Sequence, residues 1–197
     1  NNYWGTENKT LINKMIIDAD DFAGQSSHNC NLSLKAILGI AAYSFLSGDK
    51  SYMQKAAEYA NRWEKEAKAP HGATRLSFDN PDSWSLKYNI IWDSILEFNL
   101  FSDKLKKSEV ELYSKKMNRY GVPLDSRANY TKLDWLMWSA CLVNDKTYFD
   151  KVTECITNMI NETPDRVPLT DWYCSVTSSH IAFQNRSVVG GVFIAMI

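Results

Sequence analysis

No CxxC pair joins the four cysteines (Cys30, Cys141, Cys155 and Cys174), and only three histidines occur among the 197 residues. A zinc site of the Cys/His type is therefore not expected, and nothing in the chain asks for a metal or another cofactor. The formal net charge is only −1, so the chain lacks the broad basic field that nucleic acid or an anionic membrane would attract. No apolar run approaches the roughly 20 residues needed to span a bilayer. The opening stretch NNYWGTENKT lacks the basic-then-apolar form of a signal peptide, as a processed secreted chain also would. Period-two alternation with hairpin turns is not sustained anywhere, which argues against a β fold. Gly190-Gly191 has no GxGxxG or GK[ST] around it, so close helix packing is expected there and not a phosphate loop.

Aromatic residues, by contrast, reach 13% and include seven tryptophans. Such rings fill cores, and they also line pockets for sugars and other small molecules. Asn-x-Ser/Thr sequons begin at Asn8, Asn31, Asn129, Asn161 and Asn185. Their number leans towards a glycosylated protein, secreted or in the cell wall.

Helical periodicity dominates. Residues 31–48 are apolar almost all round and end on Gly48, a helix stop. Residues 51–69 are amphipathic, 83–100 mostly apolar, 107–120 polar, 133–143 apolar, 148–162 amphipathic and 187–197 apolar. A buried helix followed by an exposed one thus recurs three times before a further buried segment. The buried segments begin near residues 31, 84, 133 and 187, a period of roughly 50 that signals stacked helical hairpins. Inner helices walled by outer ones predict an all-α fold, an α/α toroid of the six-hairpin type. The chain covers roughly three and a half hairpins of such a ring, which at this period needs about 300 residues. Residues 1–197 therefore read as a partial domain of a larger multidomain protein, whose remaining segments are expected partners.

The links carry a second regularity. GVPLDSRANYTKLDW (121–135) and RVPLTDWYCSVTSSH (166–180) repeat Val-Pro-Leu about 45 positions apart, each followed by Asp, Trp and an aromatic, polar loop. Both run from an outer helix to the next inner one, as do residues 18–29 and 69–84. The opposite links are short and plain. Long acidic and aromatic loops thus gather on one rim, where a rigid scaffold would carry a site.

The motifs DDFAG, NLSLKAILGI, SWSLKYNIIWD, GVPLDSRANYTKLDWLMW, RVPLTDWY and FQNRSVVGGVF, in that order, resemble the C-terminal six-hairpin region of the glutaminase A family across residues 16–197. The resemblance implies a secreted hydrolase that releases ammonia from glutamine, with β-rich domains ahead of the toroid. It assigns no catalytic residues, so the site is read from the residues themselves.

Amide hydrolysis without a metal needs an activated water or nucleophile, an acid for the departing nitrogen and stabilisation of the oxyanion. The rim offers the carboxylates Asp20, Asp21, Asp125, Asp134 and Asp171, and paired carboxylates serve if their pKa values are pushed apart. Each also has a structural reading: Asp134 stands three after Thr131, a capping-box spacing, and Asp21 and Asp171 could close turns. A free amino acid further demands a cation for its α-carboxylate. Arg127 and Arg186 are candidates, with Lys35 four residues after Asn31 on one helix face. Lys35 could instead pair with Asp20 or Asp21, and Arg127 with Asp125. Trp84, Tyr88, Trp135 and Trp172 are candidate pocket walls, whereas Trp92 and Trp138 read as core. Cys174, six before His180, is a further candidate nucleophile. Two other functions compete with the amidohydrolase: a two-carboxylate glycoside hydrolase, common on α/α toroids, and a non-catalytic supporting domain. The substrate expected is a small molecule, glutamine or a sugar.

Overall fold

The computed structural model of the chain describes residues 18–20, 24–26, 28–165 and 168–197. Its first described element is a short hairpin of β1 (Asp18–Asp20) and β2 (Gly24–Ser26). Helix α1 (Cys30–Ser47) then starts at Asn29, whose side chain accepts from the N–H groups of Asn31 and Leu32. It stops at Gly48, which takes φ 74° and returns its N–H to Ser44, the left-handed cap that glycine adopts without a Cβ clash. One residue later Asp49 caps α2 (Lys50–Glu66). The turn is that short because both helix ends are satisfied locally. Helix α2 buries Ala56, Ala60 and Trp63, and the Trp63 indole donates to the Cys30 carbonyl at 2.8 Å, locking the hairpin at its open end.

The apolar stretch 83–100 departs from expectation. It is irregular through 83–87 with one bridge at Ser85, makes one 3-10 turn at Tyr88–Ile90, and is helical only in α3 (Ile91–Ile95). Backbone pairing with the next link draws its start out of the helix: Leu86 donates to Leu124, and Ser126 donates to Trp84. Its end is cut by buried Asp93, whose carboxylate accepts from the N–H groups of Leu100 and Phe101, while Glu97 and Asn99 take positive φ. Helices α4 (Asp103–Lys115), α5 (Leu133–Ala140) and α6 (Lys146–Glu162) follow near their expected places. The last apolar segment is a 3-10 helix, Ser187–Met196.

The chain is predominantly helical, as an all-α class requires, with one addition in the links between helices. Strands β3 (Tyr130–Lys132), β4 (Thr170–Cys174) and β5 (His180–Gln184) form an antiparallel sheet in the order β3-β4-β5. The segments that follow the two Val-Pro-Leu motifs therefore meet, joined through β3 and β4 with Lys132 opposite Trp172. Three- and five-residue strands are too short to show alternation in a sequence, and their pairing spans about 40 residues. Gly121 sits beneath this sheet at φ 128°, where an added Cβ would lie 2.5 Å from Leu136 Cδ2. The apolar elements contact one another in chain order: α1 against the 3-10 turn, that turn against α5, and α5 against the last 3-10 helix.

Candidate active site

Strand β3 runs straight into α5. Lys132 is the last extended residue and Asp134 lies in the first helical turn, where the helix dipole favours an acidic group. The capping-box reading of Thr131 and Asp134 is corrected here: the N-cap is Lys132, no side chain caps this helix, and the buried Thr131 hydroxyl has no hydrogen-bond partner. Lys132, only 1% exposed, instead bonds the Asp171 carboxylate on β4. Arg186 reaches the same Asp171 oxygen, Oδ2, at 2.9 Å. Two cations thus converge on one carboxylate, while Asp171 Oδ1 is buried without a partner.

Aromatic rings hold this cluster. Lys132 Nζ lies 5.3 Å from the Trp135 ring centroid and 5.4 Å from that of Phe183, and the Arg186 guanidinium sits 4.1 Å from Phe183. Tyr88 and Trp135 stack face to face, 4.1 Å apart and within 6° of parallel. Trp172 packs against Phe183 and, edge-on, against Tyr130. Phe183 and Asn185 hold positive φ values of 48° and 56°. For a phenylalanine that is a strained backbone, and the surrounding contacts keep it there.

Asp134 is 4% exposed, and its Oδ1 has no hydrogen-bond partner. Burial pushes its pKa up. Lys132 and the backbone N–H groups of Asp134 and Trp135 pull it back, and Asp171 adds to the rise. The carboxyl thus keeps its proton to higher pH than an ordinary Asp. Gly191 of the last 3-10 helix lies against it. An alanine Cβ at 191 would sit 2.8 Å from Asp134 Cβ and 3.0 Å from the Trp138 indole nitrogen, whose N–H donates to the Gly191 carbonyl. Gly191→Ala should therefore lower stability by about 1–3 kcal/mol through overpacking, read as a lower melting temperature, and should displace Asp134.

Of the residues read as site candidates, the fold brings Asp134, Asp171, Arg186, Tyr88, Trp135 and Trp172 into one neighbourhood. Others fall elsewhere. Asp125 accepts from the backbone and guanidinium of Arg127, at 2.8, 2.9 and 2.6 Å, a self-contained turn. That pair and Trp84 line a separate open cleft of about 490 Å³. Lys35 is exposed on α1, whereas Asn31 is buried with Oδ1 unpartnered. A buried Asn31 also makes its sequon a poor glycan acceptor, unlike exposed Asn129, Asn161 and Asn185. Asp20 belongs to β1, where its backbone pairs with Gly24, and Asp21 lies outside the described residues. Cys174 makes no bond to His180 among the described contacts. Burial would raise its pKa, but the Thr177 hydroxyl and the N–H groups of Val176 and Thr177 hold it lower. No group of three or more His, Cys, Asp or Glu side chains gathers to hold a metal among the described residues.

Sequence reasoning missed Lys132 and Phe183. The signal available was a lysine between Thr131 and the apolar start of α5, where a buried ammonium must reach a partner. It also missed a buried network beneath the site. Lys87, fully buried, donates to the Ser85 hydroxyl at 2.8 Å and to the Ser85 carbonyl at 3.0 Å. Burial drives its pKa down, with Glu109 the largest opposing influence. Glu109 accepts from the Thr74 N–H and hydroxyl and from the Tyr113 hydroxyl, all at 2.7 Å. Tyr113 in turn accepts from the Lys87 N–H. The network ties residues 85–87 to α4. Tyr113→Phe leaves Glu109 Oε2 and the Lys87 N–H without this partner, and should cost about 1–3 kcal/mol for each group, seen as a reduced denaturation midpoint.

The paired helices and the strand-linked charge cluster define a helical-hairpin protein with buried ion pairs between two of its links. The family model described as the glutaminase A six helical-hairpin domain matches residues 5–196, and the chain belongs to that family. It is 33% identical over 196 residues to glutaminase A of Aspergillus oryzae, covering 92% of this chain and 28% of that protein. A probable glutaminase of Arthroderma benhamiae is 29% identical over 215 residues, covering 90% of this chain and 25% of that protein. The chain therefore spans about a quarter of the length of the curated relatives it matches.

Proposed function

We propose that this chain carries the reaction site of a glutaminase-type hydrolase that converts L-glutamine to glutamate and ammonia, with Asp134 as the proton carrier. The observation that supports it is a buried carboxyl group whose pKa is raised beside an ion cluster on the helix-start rim. As the amide C–N bond breaks, Asp134 gives its proton to the nitrogen, which leaves as ammonia. The attacking water returns a proton to the carboxylate while its oxygen joins the carbonyl carbon. The relatives' names favour an amide over a sugar. A glycoside hydrolase needs a second carboxyl group to act on the sugar as base or nucleophile, whereas Asp125 is tied to Arg127 and two cations offset the Asp171 charge. A merely supporting domain would pair all its rim carboxylates, and Asp134 Oδ1 has no partner.

The same reading treats the hairpins as an arc of an α/α toroid completed by other segments of the whole protein. Its α1 side is apolar and uncovered: Phe45 is 77% exposed and Leu46 82%. Other hairpins closing a ring would cover it. Ammonia release from L-glutamine by the whole protein, run beside a glycoside panel, tests the function. Sugar cleavage with glutamine untouched would overturn it.

A further inference from the structure

We propose that Arg186, Asp171 and Thr131 form a clamp for the charged head group of a free α-amino acid. Arg186 takes the α-carboxylate, and Asp171 Oδ1 with the Thr131 hydroxyl takes the α-ammonium. This rests on the hydrolase reading and adds the part of the substrate that does not react.

Three buried polar groups lack a hydrogen-bond partner around one small sheet: the Thr131 hydroxyl, Asp171 Oδ1 and Arg186 Nε. Thr131 is fully buried, and so is Asp171. Buried polar atoms are nearly always satisfied, so a set of orphans in one place points to a missing ligand. Their placement is not accidental. Thr131 stands opposite Tyr173 in the β3–β4 register, and Asp171, two residues earlier on the same strand, shares its face. The two residues are therefore diagonal neighbours: the carboxylate oxygen only accepts and the hydroxyl can accept, so an ammonium, with several N–H bonds, satisfies both.

Arg186 supplies the opposite half. One end of its guanidinium is pinned by Asp171, and Phe183 covers a face at 4.1 Å, yet its side chain keeps 36% of its surface open. An arginine ordered in this way presents its free edge to a carboxylate without first losing rotamer freedom. The strained φ values at Phe183 and Asn185 fix the chain on either side of this presentation. A zwitterion held here lies beside Asp134, on whose pKa both Lys132 and Asp171 act.

The test compares L-glutamine with two blocked forms in the whole protein: N-acetyl-L-glutamine, which has lost the ammonium, and glutamine whose α-carboxylate is converted to an amide. Calorimetric binding of L-glutamate, the product, is measured in parallel so that the head-group site is read without turnover. Each blocked form should lose about a hundredfold or more in kcat/KM, because it leaves buried polar groups unpaired. Arg186→Gln should raise KM for glutamine about tenfold with a smaller change in kcat, and should remove the penalty on the carboxylate-blocked form alone. Arg186→Lys should recover part of the loss, which a purely structural arginine paired with Asp171 would not separate by substrate. Thr131→Val should remove part of the penalty on the N-acetyl form alone. If both blocked forms react as well as glutamine, the clamp is wrong and the hydrolase stands. If glutamine is not hydrolysed but glutamate binds in an Arg186-dependent way, the clamp stands and the reaction assignment falls. If neither amino acid binds, the clamp is overturned.

Discussion

Asp134→Asn should lower the kcat for ammonia release by about 10²–10⁴-fold while leaving the fold intact. Asparagine keeps the shape and cannot carry the proton. Stability should move in a direction set by linkage. Burial raises the Asp134 pKa in the folded protein, so its contribution is fully present below the unfolded pKa and is lost as pH rises through the folded value. The wild-type protein therefore loses stability over that window and the Asn variant does not. Melting temperatures measured from acid to neutral pH should show the variant gaining on the wild type as pH rises. Turnover that survives the substitution would remove Asp134 from the chemistry. A large fall in melting temperature at neutral pH would instead assign it a structural role.

Lys132→Met should be the most destabilising single change in the site. It leaves Asp171, fully buried, with Arg186 as its remaining cation, and stranding one member of a buried pair costs about 3–5 kcal/mol. For a domain of this size that is a drop of roughly 6–20 °C in melting temperature. The double variant Lys132→Met with Asp171→Leu removes both charges and should recover much of the loss, since an apolar replacement of a buried pair is close to neutral. A thermal-denaturation cycle over the wild type, the two single variants and the double variant reads the coupling directly. Additive losses would mean that the Lys132–Asp171 contact contributes little.

Some of this was legible from residue order alone. Helices α1, α2, α4, α5 and α6 lie near where periodicity, with Gly48 as a stop, put them. Such signals are local, each spanning a few turns of chain. The paired Val-Pro-Leu links were legible too, because a repeat is visible without knowing what it packs against. Asp134, Asp171 and Arg186 were named as candidates for the same reason: acidic and basic groups stood out among aromatic neighbours.

Residue order could not say which candidates would meet. Arg127 and Arg186 look alike in the chain, yet one closes a turn on Asp125 and the other crosses to Asp171. Lys35 and Lys132 both interrupt apolar stretches, but Lys35 faces outwards and Lys132 is buried at the centre of the cluster. The difference comes from pairings between residues some 40 positions apart, in strands too short to announce themselves. It also comes from desolvation, which belongs to a three-dimensional environment and to no residue by itself. Periodicity and capping act along the chain and so survive in its order. Burial, ion pairing and the raised Asp134 pKa act across space, and exist only once the two links have folded against each other.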